Sequence, residues 1–168
     1  MSMENKEDAV LPRASFVWPS AVTVHFDGAC QPPRGGGVAT YGLVVSGPGV
    51  DHREHGLAVP RGVPHATNNV AEYVAAIRGL EWLRSAGYQG RVTLQGDSQL
   101  VIRQMIGDYR VKKEHLRAYH EQLARLVQFF EEVRFEWVPR EQNTEADALS
   151  KLALRGEMER RPPSTRTA

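Results

Sequence analysis

Four acidic residues of this 168-residue chain stand at the ends or first turns of predicted secondary-structure elements. They are Asp27, Glu72, Asp97 and Asp147. Asp27 ends a segment of alternating apolar residues and precedes a glycine and a Pro/Gly-rich turn, so its carboxylate is expected where a strand opens to solvent. A carboxylate in such a place can hold a cation if other carboxylates reach the same point. The four residues are therefore candidate cation ligands, provided that they meet.

Each of the four also has a structural interpretation that the sequence leaves open. Asp27 is a suitable turn former, and Asp97 can cap the helix predicted directly after it. Glu72 follows an asparagine by three residues, which is the spacing of a capping box. Asp147 precedes a lysine by four residues, which is the spacing of a solvated ion pair on a helix. None of the four is diagnostic by itself.

Hydrophobic periodicity predicts the elements that must position these residues. Alternating apolar residues predict three strands joined by short turns, and the period changes to 3.6 residues from Thr67 onward. A strand, a helix and a strand in that order imply a parallel crossover. The predicted elements are strands ending at 27 and covering 38–46 and 52–59, a helix from 67 to about 87, a strand at 91–95, helices at 98–107 and 112–131, a strand at 133–138 and a helix at 144–154. This order predicts an α/β protein with a mixed five-stranded sheet.

Composition is that of a soluble globular protein with one domain. Apolar residues make up 41% and charged residues 24% of the chain, and no apolar run is long enough to cross a membrane. The polar N-terminus lacks the apolar core of a signal peptide, and the single cysteine excludes an intramolecular disulfide, so we expect a cytoplasmic protein. The net charge of +1 gives no argument for a nucleic-acid partner.

The two ends of the chain lack the periodicity of its middle. Residues 1–20 are expected to form a mobile leader, and residues 155–168, which are rich in arginine and proline, a disordered basic tail. The domain is therefore expected to span 21–154.

Four short motifs, in this order, resemble those of type 1 ribonuclease H. They are Asp-Gly-Ala at 27–29, Thr-Asn-Asn-Val-Ala-Glu at 67–72, Gly-Asp-Ser-Gln-Leu-Val at 96–101 and Asn-Thr-Glu-Ala-Asp at 143–147. The resemblance covers residues 22–154 in the order of elements as well as motifs. It implies the ribonuclease H-like fold, in which a five-stranded mixed sheet is flanked by helices.

The resemblance also implies an activity. Asp27, Glu72, Asp97 and Asp147 would converge to bind two Mg²⁺ ions, with Mn²⁺ as a possible substitute, and carboxylate oxygens are the hard ligands that these ions prefer. Two such ions support hydrolysis of the RNA strand of an RNA/DNA hybrid, leaving 5′-phosphate and 3′-hydroxyl ends. The implied partner is the hybrid, and the expected state is a monomer.

Further positions match substrate-binding residues of that family. The residues that match contacts to the minor groove of the hybrid are Cys30, Asn68, Asn69 and Gln99, and those that match phosphate contacts are Thr67 and Lys113. Structural interpretations remain open for all of them: a small buried residue at 30, helix caps at 67–69, an exposed polar side chain at 99 and a solvated helix end at 113.

The chain departs from many bacterial members of the family at two places. The loop 138–143 is short and has no histidine, so Arg140 or Glu141 substitutes for that residue, or the step is left to metal and water. The extra basic helix that grips the hybrid in some members is missing between 107 and 111. The alternatives to the hydrolase are a hybrid-binding module without catalysis and a DNA-directed nuclease of the same fold group.

Overall fold

The computed structural model describes residues 16–160, which form a five-stranded sheet with helices on both faces. The strand order is β3-β2-β1-β4-β5. The elements are β1 (Ala21–Gln31), β2 (Val38–Gly47), β3 (Val50–Leu57), α1 (Asn68–Ser85), β4 (Arg91–Gly96), α2 (Gln99–Met105), α3 (Glu114–Val127), β5 (Glu132–Trp137), a 3-10 turn (Arg140–Gln142) and α4 (Thr144–Glu159). The predicted fold class is confirmed.

Strand β1 occupies the centre of the sheet because it pairs with a neighbour on each side. It runs antiparallel to β2 and parallel to β4, with His25 opposite Gln95 in the parallel register. The alternating residues Val22, Val24 and Phe26 are almost fully buried, as the period-two pattern predicts. The parallel register between β1 and β4 ends at His25, and β1 continues beside β2 to Gln31, so the expected end of the strand at Asp27 is wrong.

Helices α1 and α4 cover opposite faces of the sheet and approach it closely at glycines. A Cβ atom on Gly79 of α1 would lie 2.6 Å from Cγ1 of Val24. A Cβ atom on Gly42 of β2 would lie 2.5 Å from the carbonyl oxygen of Ala146 and from the backbone nitrogen of Ser150, both in α4. These contacts hold both helices close against the two central strands of the sheet.

The structure corrects the expected domain boundaries at both ends. Trp18, placed in the leader by the sequence, packs against the core, with its ring centroid 5.2 Å from that of Tyr88 and 6.4 Å from that of Trp82. The helix expected to end at 154 continues to Glu159, so residues 155–159 are helical. The remainder of the predicted leader and tail, 1–15 and 161–168, lies outside the described residues.

One local prediction was also wrong, and one alternative that the sequence left open is excluded. The helix predicted over 112–131 covers only Glu114–Val127. The capping box suggested by Asn69 and Glu72 is absent from α1, because Thr67 is the N-cap and its hydroxyl accepts from the Val70 N–H at 3.2 Å. Within residues 16–160, no helix is both long and apolar enough for a membrane span.

The contact at Gly42 predicts a test of how tightly α4 is held. Gly42→Ala should lower the free energy of unfolding by about 1–3 kcal/mol, because the added methyl meets backbone atoms that cannot move aside alone. Gly156→Ala is the control within α4: its Cβ would meet nothing within 4 Å, and the substitution should raise stability by about 0.5–1 kcal/mol. Urea unfolding of both variants measures this, and equal stability of Gly42→Ala and the parent would contradict it.

Candidate active site

Three carboxylates from distant parts of the chain meet where β4 ends and its pairing with β1 stops. Asp27 lies in β1, Glu72 in α1 and Asp97 directly after β4. One oxygen of each lies within 4.8 Å of the others. Asp27 and Glu72 are only 5% and 4% exposed. The arrangement brings three negative charges into a largely buried place.

Local features of the sequence explain this convergence. Parallel pairing of β1 with β4 places Asp27, which lies within β1, beside Asp97, which directly follows the end of β4. Gly28 lets α1 approach, since a Cβ atom there would lie 2.6 Å from the backbone nitrogen of Glu72. Asn143, at the start of α4, donates its side-chain amide to the carbonyl oxygen of Phe26 at 2.9 Å and so anchors α4 beside Asp27.

Burial and mutual repulsion change the proton affinity of the cluster. Burial raises the pKa of Asp27 to about 7; a hydrogen bond from Ser150 opposes this shift, and the charges of Asp97 and Asp147 add to it. Burial, followed by the charges of Asp27 and Asp97, raises the pKa of Glu72 well above its ordinary value. Both shifts show that negative charge is unfavourable here without a compensating cation.

Two oxygens of the cluster have no partner among the described residues. Oε2 of Glu72 and Oδ1 of Asp97 are buried and accept no hydrogen bond. A buried acceptor without a partner is costly, and a carboxylate oxygen so placed is a suitable ligand for a hard divalent cation. The donor set therefore fits such an ion.

The fourth predicted acid, Asp147, lies beside the cluster and is not part of the group of three. Its Oδ2 pairs with Nζ of Lys151 at 2.9 Å, so the ion pair expected from the spacing is present. Its charge nevertheless reaches Asp27, whose pKa it raises. The structure thus assembles three acids tightly, with the fourth outside that group but near enough for its charge to act on Asp27.

The predicted substrate residues lie near the starts of three helices. Near the start of α1, the Cys30 thiol lies 3.0 Å from the carbonyl oxygen of Ala66, and the backbone N–H of Asn68 donates to the carbonyl oxygen of Pro33 at 3.3 Å. Cys30 is 8% exposed, while Asn68 and Asn69, in the first turn of α1, are partly exposed.

Gln99 and Lys113 lie at other helix starts, and both are exposed. Gln99 is the first residue of α2, two positions after Asp97, and its Oε1 accepts from Nε of Arg103 at 3.3 Å. Lys113 is the residue before α3 and makes no capping hydrogen bond through its side chain.

Sequence reasoning missed two contacts to the acidic residues. Nε1 of Trp137 donates to the backbone oxygen of Asp97 at 3.2 Å. The Ser150 hydroxyl lies 2.7 Å from Oδ2 of Asp27. Ser150 follows Asp147 by three residues, so the i, i+3 spacing placed it on the same side of the helix and was the available signal.

Comparisons with known proteins agree with this geometry. Residues 25–153 match the family model described as reverse transcriptase-like. The bifunctional protein Rv2228c of Mycobacterium tuberculosis is 38% identical over 118 residues, which are 70% of this chain and 32% of that protein. Ribonuclease HI of Halobacterium salinarum is 37% identical over 133 residues, which are 79% of this chain and 64% of that protein. The chain thus spans about a third of the length of Rv2228c and under two thirds of the length of the Halobacterium ribonuclease HI.

Solved structures show the same fold. The N-terminal ribonuclease H domain of Rv2228c superposes with a TM-score of 0.74 at 31% identity, covering 84% of this chain and 98% of that one. LC11-RNase H1, crystallised with an RNA/DNA hybrid, gives 0.72 at 30% identity, covering 82% and 99%. The RNase H1 of Halobacterium salinarum gives 0.72 at 35% identity, covering 81% and 98%. On this evidence, and as its motifs indicated, the chain belongs to the type 1 ribonuclease H family.

Proposed function

We propose that this protein is an endonuclease that hydrolyses the RNA strand of RNA/DNA hybrids and leaves 5′-phosphate and 3′-hydroxyl ends. The observation that carries the proposal is the cluster of Asp27, Glu72 and Asp97 on the ribonuclease H fold, in which two buried oxygens lack partners within residues 16–160. Two relatives support the substrate: one is a ribonuclease HI, and another was crystallised with a hybrid. The cytoplasmic location and the monomeric state stay predictions.

The four acids would hold the divalent metal. Asp27, Glu72 and Asp97 supply the converging oxygens, and Asp147 supplies a fourth carboxylate from α4 once its bond to Lys151 is exchanged. We propose Mg²⁺, replaceable by Mn²⁺, with two ions per site. When bound, such ions lower the pKa of the attacking water and stabilise the leaving 3′ oxygen. The protein contributes rigid carboxylates of fixed separation and needs no nucleophile of its own.

Residues at the starts of α1 and α2 would select the substrate. The Gln99 carboxamide can donate to or accept from the ribose 2′-hydroxyl, the group that distinguishes RNA from DNA. Cys30, Asn68 and Asn69, near the start of α1, would contact the minor groove as well. Thr67 accepts from the Val70 N–H through its hydroxyl oxygen, so its own proton remains free to donate to a phosphate.

Two cations would meet the sugar-phosphate backbone of the hybrid. Lys113 is exposed before the first turn of α3, where an ammonium group can contact a phosphate of the DNA strand. Arg140 lies beside the cluster, with Nε 3.6 Å from Oδ2 of Asp97 and a side chain that is 71% exposed. Because Glu141 forms no ion pair among the described residues, we propose that Arg140 fills the place of the missing loop histidine.

The first test is cleavage of a labelled hybrid. Purified protein with Mg²⁺ or Mn²⁺ should cut only the RNA strand, and Asp97→Asn should lower kcat by roughly a hundredfold or more, because it removes a ligand charge. Binding of the hybrid by Asp97→Asn, followed by fluorescence anisotropy in EDTA, should stay close to that of the parent.

A matched substitution separates this effect from a general change of charge. Asp51→Asn removes an acid that is 71% exposed and pairs with Arg53, and it should leave kcat unchanged. Binding without cleavage by the parent protein would instead indicate the non-catalytic module. Equal cleavage of duplex DNA, or strong cleavage of a DNA junction, would indicate the DNA-directed nuclease.

The second test uses the raised pKa of Asp27. Since the folded, metal-free protein holds this proton up to about pH 7 and the unfolded chain releases it near its ordinary pKa of 3.8, the stabilising contribution is lost as pH rises through 7. Urea unfolding in EDTA between pH 5.5 and 8.5 should therefore show the parent losing stability relative to Asp27→Asn. Mg²⁺ should restore it mainly at high pH, where the carboxylates are ionised. A pH-independent difference between the two proteins would contradict this prediction.

The third test concerns Arg140. Arg140→Ala should reduce kcat about tenfold, equivalent to about 1.4 kcal/mol of transition-state stabilisation, with little change in KM. Glu141→Ala in the neighbouring position is the control and should keep the parental kcat. Comparable losses in both variants would show that the loop acts through its conformation rather than through the guanidinium.

A further inference from the structure

The Ser150 hydroxyl stands between two of the four acidic residues. Its oxygen lies 2.7 Å from Oδ2 of Asp27 and 2.9 Å from the backbone oxygen of Asp147. Ser150 is fully buried and Asp27 nearly so, so water does not compete for either contact. A hydroxyl has one proton, so it donates to one of these acceptors at a time.

This contact is how α4 reaches the carboxylate cluster. Among residues 16–160, Ser150 makes the only hydrogen bond from an α4 side chain to Asp27, Glu72 or Asp97. The bond joins residues 123 positions apart and lies one helix turn from Asp147. Ser150 therefore links the cluster of three carboxylates to α4, the helix that carries Asp147.

We propose that Ser150 is a positioning residue for divalent-cation binding: its hydroxyl fixes the rotation of the Asp27 carboxylate and ties that carboxylate to α4. The inference rests on the proposed function, because it needs the acids to be cation ligands. It assigns Ser150 no contact with substrate or metal.

The chemistry of the carboxylate supports this role. An ionised carboxylate oxygen has two lone pairs, so a hydrogen bond to Oδ2 leaves the group able to bind a cation while its orientation is held. Hydrogen-bond partners of ligating side chains typically contribute about 10- to 100-fold to metal affinity, because they fix ligand orientation. When a cation occupies the site and Asp27 is ionised, the Ser150 proton has a charged acceptor, and the backbone oxygen of Asp147 is the weaker alternative.

Thr40, which is hydrogen-bonded to Ser150, offers a matched control. Thr40 of β2 is fully buried, and its hydroxyl donates to the backbone oxygen of Ser150 at 2.8 Å. Thr40→Val removes a buried hydroxyl that holds the same helix turn but touches no carboxylate. Ser150→Ala removes the hydroxyl that does touch one, and alanine is well tolerated inside a helix.

The experiment is calorimetric titration of Mn²⁺ into each protein without nucleic acid. We expect Ser150→Ala to raise the Kd for Mn²⁺ about tenfold and Thr40→Val to leave it within about twofold of the parent. In hybrid cleavage, Ser150→Ala should shift the half-saturating Mn²⁺ concentration by a similar factor, with an unchanged Kd for the hybrid in EDTA.

The outcomes separate this inference from the proposed function. If the parent protein binds no Mn²⁺, the metal site of the proposed function is overturned. If the parent binds Mn²⁺ and Ser150→Ala binds it equally well, only the role of Ser150 is overturned. The same holds if Thr40→Val weakens binding as much as Ser150→Ala does, since packing of α4 would then explain both.

Discussion

The repulsion among Asp27, Glu72 and Asp97 is the constraint on which the rest of this structure depends. Oxygens of three carboxylates within 4.8 Å, two of the residues almost fully buried, cannot all be ionised at low cost without a cation. The fold offers only partial relief, since Oε2 of Glu72 and Oδ1 of Asp97 accept no hydrogen bond among the described residues and the guanidinium beside Asp97, that of Arg140, is 71% exposed. A bound divalent ion would offset this local cost, and cation binding would then stabilise the folded site.

Such a cluster persists only on a frame that prevents the acids from separating. Asp27 is held within the central strand, Asp97 at the end of its parallel neighbour, and Glu72 on a helix brought against β1 at Gly28. Helix α4 is held by its close approach to Gly42 and by the bond from Asn143 to the backbone before Asp27. The glycines matter here because they set the distances between elements, and those distances set the distances between charges.

How much of this arrangement the sequence predicted depends on how far apart along the chain the interacting residues lie. Strand and helix periodicity is local, so the order of elements was predictable. The motifs indicated which acidic residues are candidate cation ligands. Trp18 and residues 155–159 were assigned to flexible ends because their structure depends on packing that composition does not reveal. Of the cap positions that the sequence left open for α1, the structure uses Thr67 and not the pair of Asn69 and Glu72. The Ser150 contact, between residues 123 apart, required the fold itself.

The position of Asp147 shows how the site balances its charges before any ligand arrives. Lys151 takes one oxygen of Asp147, and Arg140 lies near one oxygen of Asp97; the two cationic side chains are 54% and 71% exposed. Because both cationic side chains reach solvent while their partners Asp147 and Asp97 are only 18% and 13% exposed, these pairs can be exchanged for a stronger counterion. Under the proposed function, a divalent cation that took their place at the carboxylates would leave both side chains at the rim of the site, where a phosphate backbone carries the opposite charge. The two residues would then act first as counterions for the acids and afterwards as available cations for a nucleic acid.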